Sequence, residues 1–105
     1  MWGDGHYMQE QPNLDKVRQL ARDLRNQEPR PAHERLAGLQ MAARTLDKCR
    51  ASLLGWEGEY NFGCPMDREF FQDAGIGAAE FKAFVASGAT DSAVETWLKE
   101  QTRKA

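Results

Sequence analysis

The sequence predicts an all-α protein, a compact single-domain bundle of about five helices with one Gly/aromatic-rich central loop. Apolar residues recur at spacings of three and four through most of the chain, as they do in amphipathic helices. No stretch shows the apolar–polar alternation and β-branched residues of a strand. Glycines follow several of the periodic stretches, at positions where helices commonly end. A chain of 105 residues is sufficient for one domain with a modest core.

The beginning of the sequence predicts a tail and then a first helix. Residues 1–11 show no periodicity, so we expect a flexible tail ahead of one helical domain over residues 12–103. The tail has neither the basic start nor the apolar segment of a signal peptide. Asn13 can cap the helix, which is expected to end near Asn26. Its apolar side consists of Leu14, Val17, Leu20, Ala21 and Leu24.

A long central helix is predicted after a proline-containing connector. It should begin at Ala32 or His33 and run to Leu54, with Gly55 just beyond its end. One face carries apolar residues at helical spacing and is expected to face the core. These residues are Leu36, Leu39, Ala43, Leu46 and Leu53.

The remainder predicts a loop and three short helices. Residues 55–66 are rich in glycine and aromatic residues, so we expect a loop that folds onto the core, with a short extended piece at 59–62. Asp67 is expected to cap the first short helix, and Thr90 or Asp91 to cap the last. The apolar residues expected to be buried here are Phe70, Phe71, Ala74, Ile76, Ala78, Phe81, Phe84, Val85, Val94, Trp97 and Leu98.

Arg50 lies within the apolar stripe of the central helix. A guanidinium on a core-facing side costs free energy unless it has a partner. Asp47 on the same side, or Glu59 or Asp67 from the loop, are the expected partners. Two interpretations follow: Arg50 pins the loop to the helix, which is the default, or it binds an anionic group of a ligand at the mouth of the loop.

The two cysteines do not form a motif. Cys49 and Cys64 lack the C-x-x-C spacing of redox and zinc sites, and we expect free, buried thiols in a reducing compartment. His33, the cysteines and the carboxylates have no spacing typical of zinc ligands, so no metal and no cofactor is expected.

A small enzyme is the alternative function. It would use Cys64 or Tyr60 with nearby carboxylates, since acid–base catalysis needs such groups within hydrogen-bond reach. Cations from Arg44 and Lys48 would lower the pKa of the thiol. No histidine lies near Cys64 in the sequence to act as its base, so the sequence leans against an enzyme.

Composition argues against two classes of partner. The net charge of −2 lacks the basic excess that nucleic-acid binding favours, and residues 78–86 offer few side chains that recognise bases. No apolar run reaches the length of a membrane span. We expect a cytoplasmic protein that is a monomer or a homodimer.

An ordered set of residues extends from about Arg30 to Trp97. It comprises Pro31, Leu36-Ala37-Gly38, Arg44, Asp47-Lys48, Arg50-Ala51, Gly55, Gly58-Glu59-Tyr60, Cys64-Pro65-Met66-Asp67, Phe70 or Phe71, Ile76, Phe81, Gly88, Asp91, Val94 and Trp97. In order and spacing this set resembles the bacterial family called domain of unknown function 5069. Ala37 and Met66 depart from the family pattern, which has glycine and often leucine there. The resemblance implies a small helical domain and no particular activity.

The central helix and its loop are therefore the predicted functional region, although the sequence indicates no specific function. We expect a small binding or interaction module that takes a small anionic ligand or a protein partner. The candidate binding residues are Arg44, Asp47, Lys48, Arg50, Glu59, Tyr60, Cys64 and Asp67.

Overall fold

The computed structural model describes residues 12–104, and the regular secondary structure of this part consists of five α-helices. These are α1 (Leu14–Leu20), α2 (Ala42–Leu54), α3 (Pro65–Ala74), α4 (Ala78–Ala86) and α5 (Asp91–Lys104). The predicted all-α fold of about five helices is confirmed. The tail predicted for residues 1–11 lies outside the described residues. None of the five helices is long and apolar enough to cross a membrane.

Helix α1 begins where the sequence predicts and ends early. The side chain of Asn13 accepts a backbone N–H of the first turn at 3.2 Å, so it caps the helix as expected. The predicted end near Asn26 is wrong, because the helix stops at Leu20 and Ala21 takes an extended backbone. Asp23 Oδ1 then accepts the backbone N–H two residues further on at 3.0 Å. Such local bonds compete with helical hydrogen bonding.

Helix α2 begins at Ala42, well after the predicted start at residue 32 or 33. A tight turn precedes it, in which Leu36 and Leu39 exchange two backbone hydrogen bonds of 3.1 and 3.0 Å. Ala37 and Gly38 lie between them with φ of 57° and 75°. Positive φ at both positions is typical of a two-residue type I′ turn. The apolar spacing of the two leucines thus belongs to a turn that packs against the core.

The aromatic loop folds onto the core as expected. Gly55 ends α2 with φ of 73°. The extended piece expected at 59–62 does not form a strand. Phe62 packs against the core instead, with its ring edge-on to Phe71 at a centroid distance of 6.0 Å. The loop is therefore held by aromatic packing.

The caps of the C-terminal helices correct one prediction and confirm another. Asp67 does not cap α3, because this helix begins at Pro65 and Cys64 occupies the cap position. Thr90 caps α5, since its Oγ1 accepts a backbone N–H of the first turn at 3.1 Å. Ala78 is exposed rather than buried.

One apolar core joins α2 to the three C-terminal helices. The residues buried in it are Ala42, Leu46, Cys49, Phe70, Phe71, Ile76, Phe81, Val85, Val94 and Leu98. Phe81 is central, with ring centroids 5.2 Å from Phe71 and 6.0 Å from Trp97. Most of the apolar residues predicted to be buried thus pack together.

Helix α1 packs against the end of α4. The backbone N–H of Asn13 donates to the carbonyl of Ala86 at 2.7 Å. Gly88 has φ of 91°, and a Cβ atom there would lie 2.5 Å from Cβ of Lys16. The close approach therefore requires glycine. It brings Leu20 and the residues after it to the same cleft as the start of α5.

Candidate functional site

Five polar side chains are almost fully buried in residues 12–104, and four of them belong to α2. They fall into two groups on different sides of that helix. We call the first group the arginine cleft; its walls are Leu20, Arg22, Arg30, Asp47, Arg50 and Asp91. We call the second group the lysine cluster; its members are Thr45, Lys48, Gly63, Cys64 and Asp67.

Two carboxylates organise the arginine cleft. Asp47 accepts the backbone N–H of Arg30 at 2.8 Å and the Nη2 of the same residue at 2.9 Å. Asp91, the first residue of α5, bridges two guanidinium groups. Its Oδ2 accepts Nη1 of Arg30 at 2.8 Å, and its Oδ1 accepts Nη1 of Arg50 at 2.9 Å. These bonds fasten the segment before α2 and the start of α5 to one side of α2.

Arg50 has a different partner from those predicted. It bonds to Asp91 and, through Nη2, to the carbonyl of Ala89 at 2.9 Å. The expected pairing with Asp47 or with a loop carboxylate is therefore wrong. Arg50 holds the turn between α4 and α5 rather than the aromatic loop.

Part of the hydrogen-bonding capacity of the cleft is unused. Among residues 12–104, the buried Nε of Arg50 has no hydrogen-bond partner, and the side chain of this residue is only 4% exposed. Arg22 is 43% exposed, and its Nε lies 3.8 Å from Asp47, which is beyond hydrogen-bonding distance. Its Nη1 donates to the carbonyl of Glu28 at 3.1 Å. The Nε of Arg50 thus lacks an acceptor in the described part of the chain, and Arg22 keeps donors that no carboxylate accepts.

The ion pairs of the cleft fix its charge state. Burial alone lowers the pKa of the Arg30 guanidinium, but hydrogen bonds to Asp47 and Asp91 outweigh it and raise the pKa. Burial likewise raises the pKa of Asp91, while its bond to Arg30 and the charge of Arg50 outweigh this and lower the pKa. With Arg22, Arg30 and Arg50 against Asp47 and Asp91, the walls carry three positive charges and two negative ones.

The lysine cluster is a closed arrangement around Asp67. This carboxylate accepts the hydroxyl of Thr45 at 3.0 Å and the backbone N–H of Gly63 at 2.9 Å. Its third partner is Lys48, whose Nζ lies 3.0 Å away. Lys48 and Asp67 are 5% and 0% exposed, so the pair is shielded from water. The cluster ties the aromatic loop and the start of α3 to α2.

The two cysteines differ in their surroundings, and both are free. Cys49 lies in the core, where burial raises the pKa of its thiol to about 12. Cys64 is partly exposed, which corrects the expectation of two buried thiols. Desolvation raises the pKa of the Cys64 thiol, but the backbone N–H of Asp67 and the ammonium of Lys48, 3.2 Å from Sγ, outweigh it and lower the pKa.

The other candidate residues lie at the margins of these groups. The guanidinium of Arg44 lies over the ring of Tyr60 at 5.8 Å and donates to the carbonyl of Arg30 at 3.4 Å. Glu59 is exposed. The eight candidates thus do not form one pocket: Asp47 and Arg50 belong to the arginine cleft, and three others to the lysine cluster.

Three charged residues of the arginine cleft, and its apolar residue Leu20, were not among the candidates. Arg30 follows the proline connector, Arg22 follows α1, and Asp91 begins α5. Only the fold brings these segments together with α2. The one available sequence signal was the buried arginine itself, which required a carboxylate from some part of the chain.

Comparison with known proteins gives a family and no activity. Residues 26–105 match the family described as Domain of unknown function (DUF5069), and the chain belongs to that family. The resemblance noted in the sequence is thereby confirmed. A search of curated proteins finds no match to the chain. The function must therefore be inferred from the chemistry of the two polar groups.

Proposed function

We propose that this family member is a small anion-binding module and that the arginine cleft is its binding site. The observation that carries the proposal is the buried Nε of Arg50, which has no acceptor among the residues that the structure describes. A buried donor without a partner costs about 1–3 kcal/mol, and more when it is charged. An anion that supplies an acceptor removes this cost, so the cleft favours a bound anion.

The charges and the shape of the cleft support the same function. Its walls carry three positive and two negative charges, which is an excess of one positive charge. Arg22 also lines the cleft and is 43% exposed, so its donors are accessible from solvent. The cleft has a volume of about 310 Å³, at the lower end of the roughly 300–1,000 Å³ of small-molecule sites. A small anion fits this volume better than a folded protein surface does. An acidic side chain of a protein partner would present the same anionic group.

The cellular location belongs to the proposal as well. Both cysteines are free thiols, and free thiols persist in the reducing cytoplasm. We therefore place the protein there, acting as a monomer or a homodimer on a soluble anionic ligand.

The proposal is tested by nuclear magnetic resonance on the whole chain. Acetate and sulfate are titrated at constant ionic strength, with chloride as the reference anion, while the Nε–Hε signal of Arg50 is followed. We expect saturable shifts of this signal. Arg22→Gln should weaken binding at least several-fold, while Arg18→Gln should leave it unchanged. Arg18 is the matched control because it is an arginine of the nearby helix α1, is 54% exposed and pairs with Asp15 outside the cleft.

Two results would contradict the proposal. Shifts that grow linearly with anion concentration and never saturate would indicate general screening. Equal effects of Arg18→Gln and Arg22→Gln would show that net charge, and not the cleft, determines binding.

Cys64 favours a second candidate function, an enzyme or sensor that uses this thiol. Its Sγ contacts Lys48 at 3.2 Å, and it occupies the cap position of α3, where backbone N–H groups stabilise a thiolate. Tyr60, the other candidate nucleophile, stacks under Arg44 and has no such support. Of the two residues, Cys64 is therefore the one to test.

Alkylation with iodoacetamide tests this candidate. We expect Cys64 to react in the folded protein, with a pH–rate profile whose midpoint lies below 9.0 because its pKa is lowered. Cys49 should react only on unfolding, since it is fully buried. Cys64→Ser identifies the reacting group. A rate that still rises steeply above pH 9, as for an ordinary thiol, would remove the nucleophile.

A further inference from the structure

Resting on the proposed anion-binding function, we infer that the ligand of the arginine cleft is a small monocarboxylate with a short apolar substituent, rather than a phosphate or a dicarboxylate. Three properties of the cleft favour such a ligand: the balance of its charges, the kind of donors left without an acceptor, and the apolar residue Leu20 in its wall.

The charge balance selects a monoanion. Three guanidinium groups face two carboxylates, so a single negative charge neutralises the walls. A second negative charge would lie close to Asp47 and Asp91, and like charges in a partly desolvated site repel strongly. Asp91 keeps its charge under ordinary conditions, because burial raises its pKa less than Arg30 and Arg50 lower it. The repulsion is therefore present at neutral pH.

The open donors suit a planar acceptor. Arg30 already uses its Nε, Nη1 and Nη2 on the two carboxylates. Arg50 has its Nε left, and Arg22 has donors that no carboxylate accepts. Guanidinium N–H groups lie in a plane and pair well with the two coplanar oxygens of a carboxylate. A carboxylate accepts these N–H groups with its two oxygens. A phosphate would accept them too, but a third oxygen would then face the aspartates.

The apolar wall suits a short hydrocarbon. Leu20, the last residue of α1, is half-buried and lines the cleft together with the charged groups. A ligand of a few carbon atoms fits the volume of about 310 Å³ and would contact this side chain. Each CH₂ group that becomes buried there should strengthen binding by about fourfold.

The test uses three organic probes of equal carbon number, one shorter carboxylate and one inorganic ion. Butyrate carries one charge, succinate carries two on the same number of carbons, butyramide carries none, and acetate lacks the longer chain; inorganic phosphate is the fifth. Binding of each to the unmodified protein is measured through the Nε–Hε signal of Arg50 at constant ionic strength. Because the measured signal comes from Arg50 itself, its contact with the ligand is followed without a destabilising substitution.

We expect butyrate to bind at least tenfold more tightly than succinate or phosphate and several-fold more tightly than acetate, with no binding of butyramide. Arg22→Gln should weaken butyrate binding at least fivefold, and Arg18→Gln should leave butyrate binding unchanged. Succinate or phosphate binding as tightly as butyrate would overturn the monocarboxylate inference and leave the anion-binding function standing. No saturable shift with any of the anions would overturn both.

Discussion

The arginine cleft and the lysine cluster differ in how completely their charges are paired. In the lysine cluster one carboxylate, Asp67, accepts bonds from three groups, and its ammonium partner is shielded from water. In the arginine cleft three guanidinium groups share two carboxylates, and a buried donor is left without an acceptor from residues 12–104. Both groups hold distant segments against α2. The difference indicates that the lysine cluster is chiefly a structural anchor, while the unbalanced cleft has capacity for a ligand.

The largest effect is expected from breaking the closed cluster. Asp67→Ala leaves the ammonium of Lys48 buried without a counter-charge and should lower the free energy of unfolding by about 3–5 kcal/mol. Urea denaturation measures this. The double variant Lys48→Met with Asp67→Leu should cost less than Asp67→Ala alone, because no charge is left buried. A loss below about 1 kcal/mol for Asp67→Ala would contradict the role of the cluster as an anchor.

The second effect concerns the bridging carboxylate of the cleft. Asp91→Asn removes the counter-charge of the buried Arg50 and should cost about 1.5–3 kcal/mol at neutral pH. The pKa of Asp91 is lower in the folded than in the unfolded protein, because its bonds to the arginines outweigh burial. Its stabilisation is therefore complete above the unfolded pKa of about 3.8 and is lost as the pH falls through the folded pKa.

Urea denaturation of both proteins across this pH range gives the check. The difference in stability between wild type and Asp91→Asn should be constant near neutral pH and shrink below about pH 4. The matched control is Asp15→Asn, whose ion pair with Arg18 is exposed and should contribute little at any pH. A difference that grows on acidification would show that the ion pairs do not stabilise the fold.

A smaller effect is expected when the buried guanidinium itself is removed. Arg50→Met leaves the carbonyl of Ala89 unpaired, but Asp91 stays partly hydrated and bonded to Arg30, so the cost should be about 1–2 kcal/mol. Hydrogen exchange should quicken at Gly88, in the turn that Arg50 holds, and stay unchanged at Tyr60 in the aromatic loop. The opposite pattern would restore the predicted role of Arg50 as the anchor of the loop.

Arg50 also shows how far the sequence determines the site. Its place within an apolar stripe predicts a buried guanidinium that needs a carboxylate, and this is what the structure contains. The identity of that carboxylate is not predictable locally, because Asp91 lies forty-one positions away and is brought near only by the packing of α4 and α5. Asp47, which is close to Arg50 in the sequence, is already bonded to Arg30 of the segment before α2.

The fold shows the same limit. Glycines after apolar runs predict helix ends correctly at Gly55 and Gly75, because a left-handed residue after a helix favours glycine. The start of α2 is missed because Ala37, a good helix former, takes a left-handed conformation in a tight turn. Two leucines three residues apart fit a helix and this turn equally well, so spacing alone does not separate them.

The smallest effect on stability, and the sharpest distinction between the two groups, is expected at Arg22. Its side chain is 43% exposed and lies 3.8 Å from Asp47, so Arg22→Gln should change the free energy of unfolding by less than about 0.5 kcal/mol. The same substitution removes the excess positive charge of the cleft and should abolish most anion binding. Parallel urea denaturation and butyrate titration separate the two quantities. A loss of stability as large as that of Arg50→Met would show that Arg22 has a structural role. The cleft would then be a second structural anchor, like the lysine cluster around Asp67.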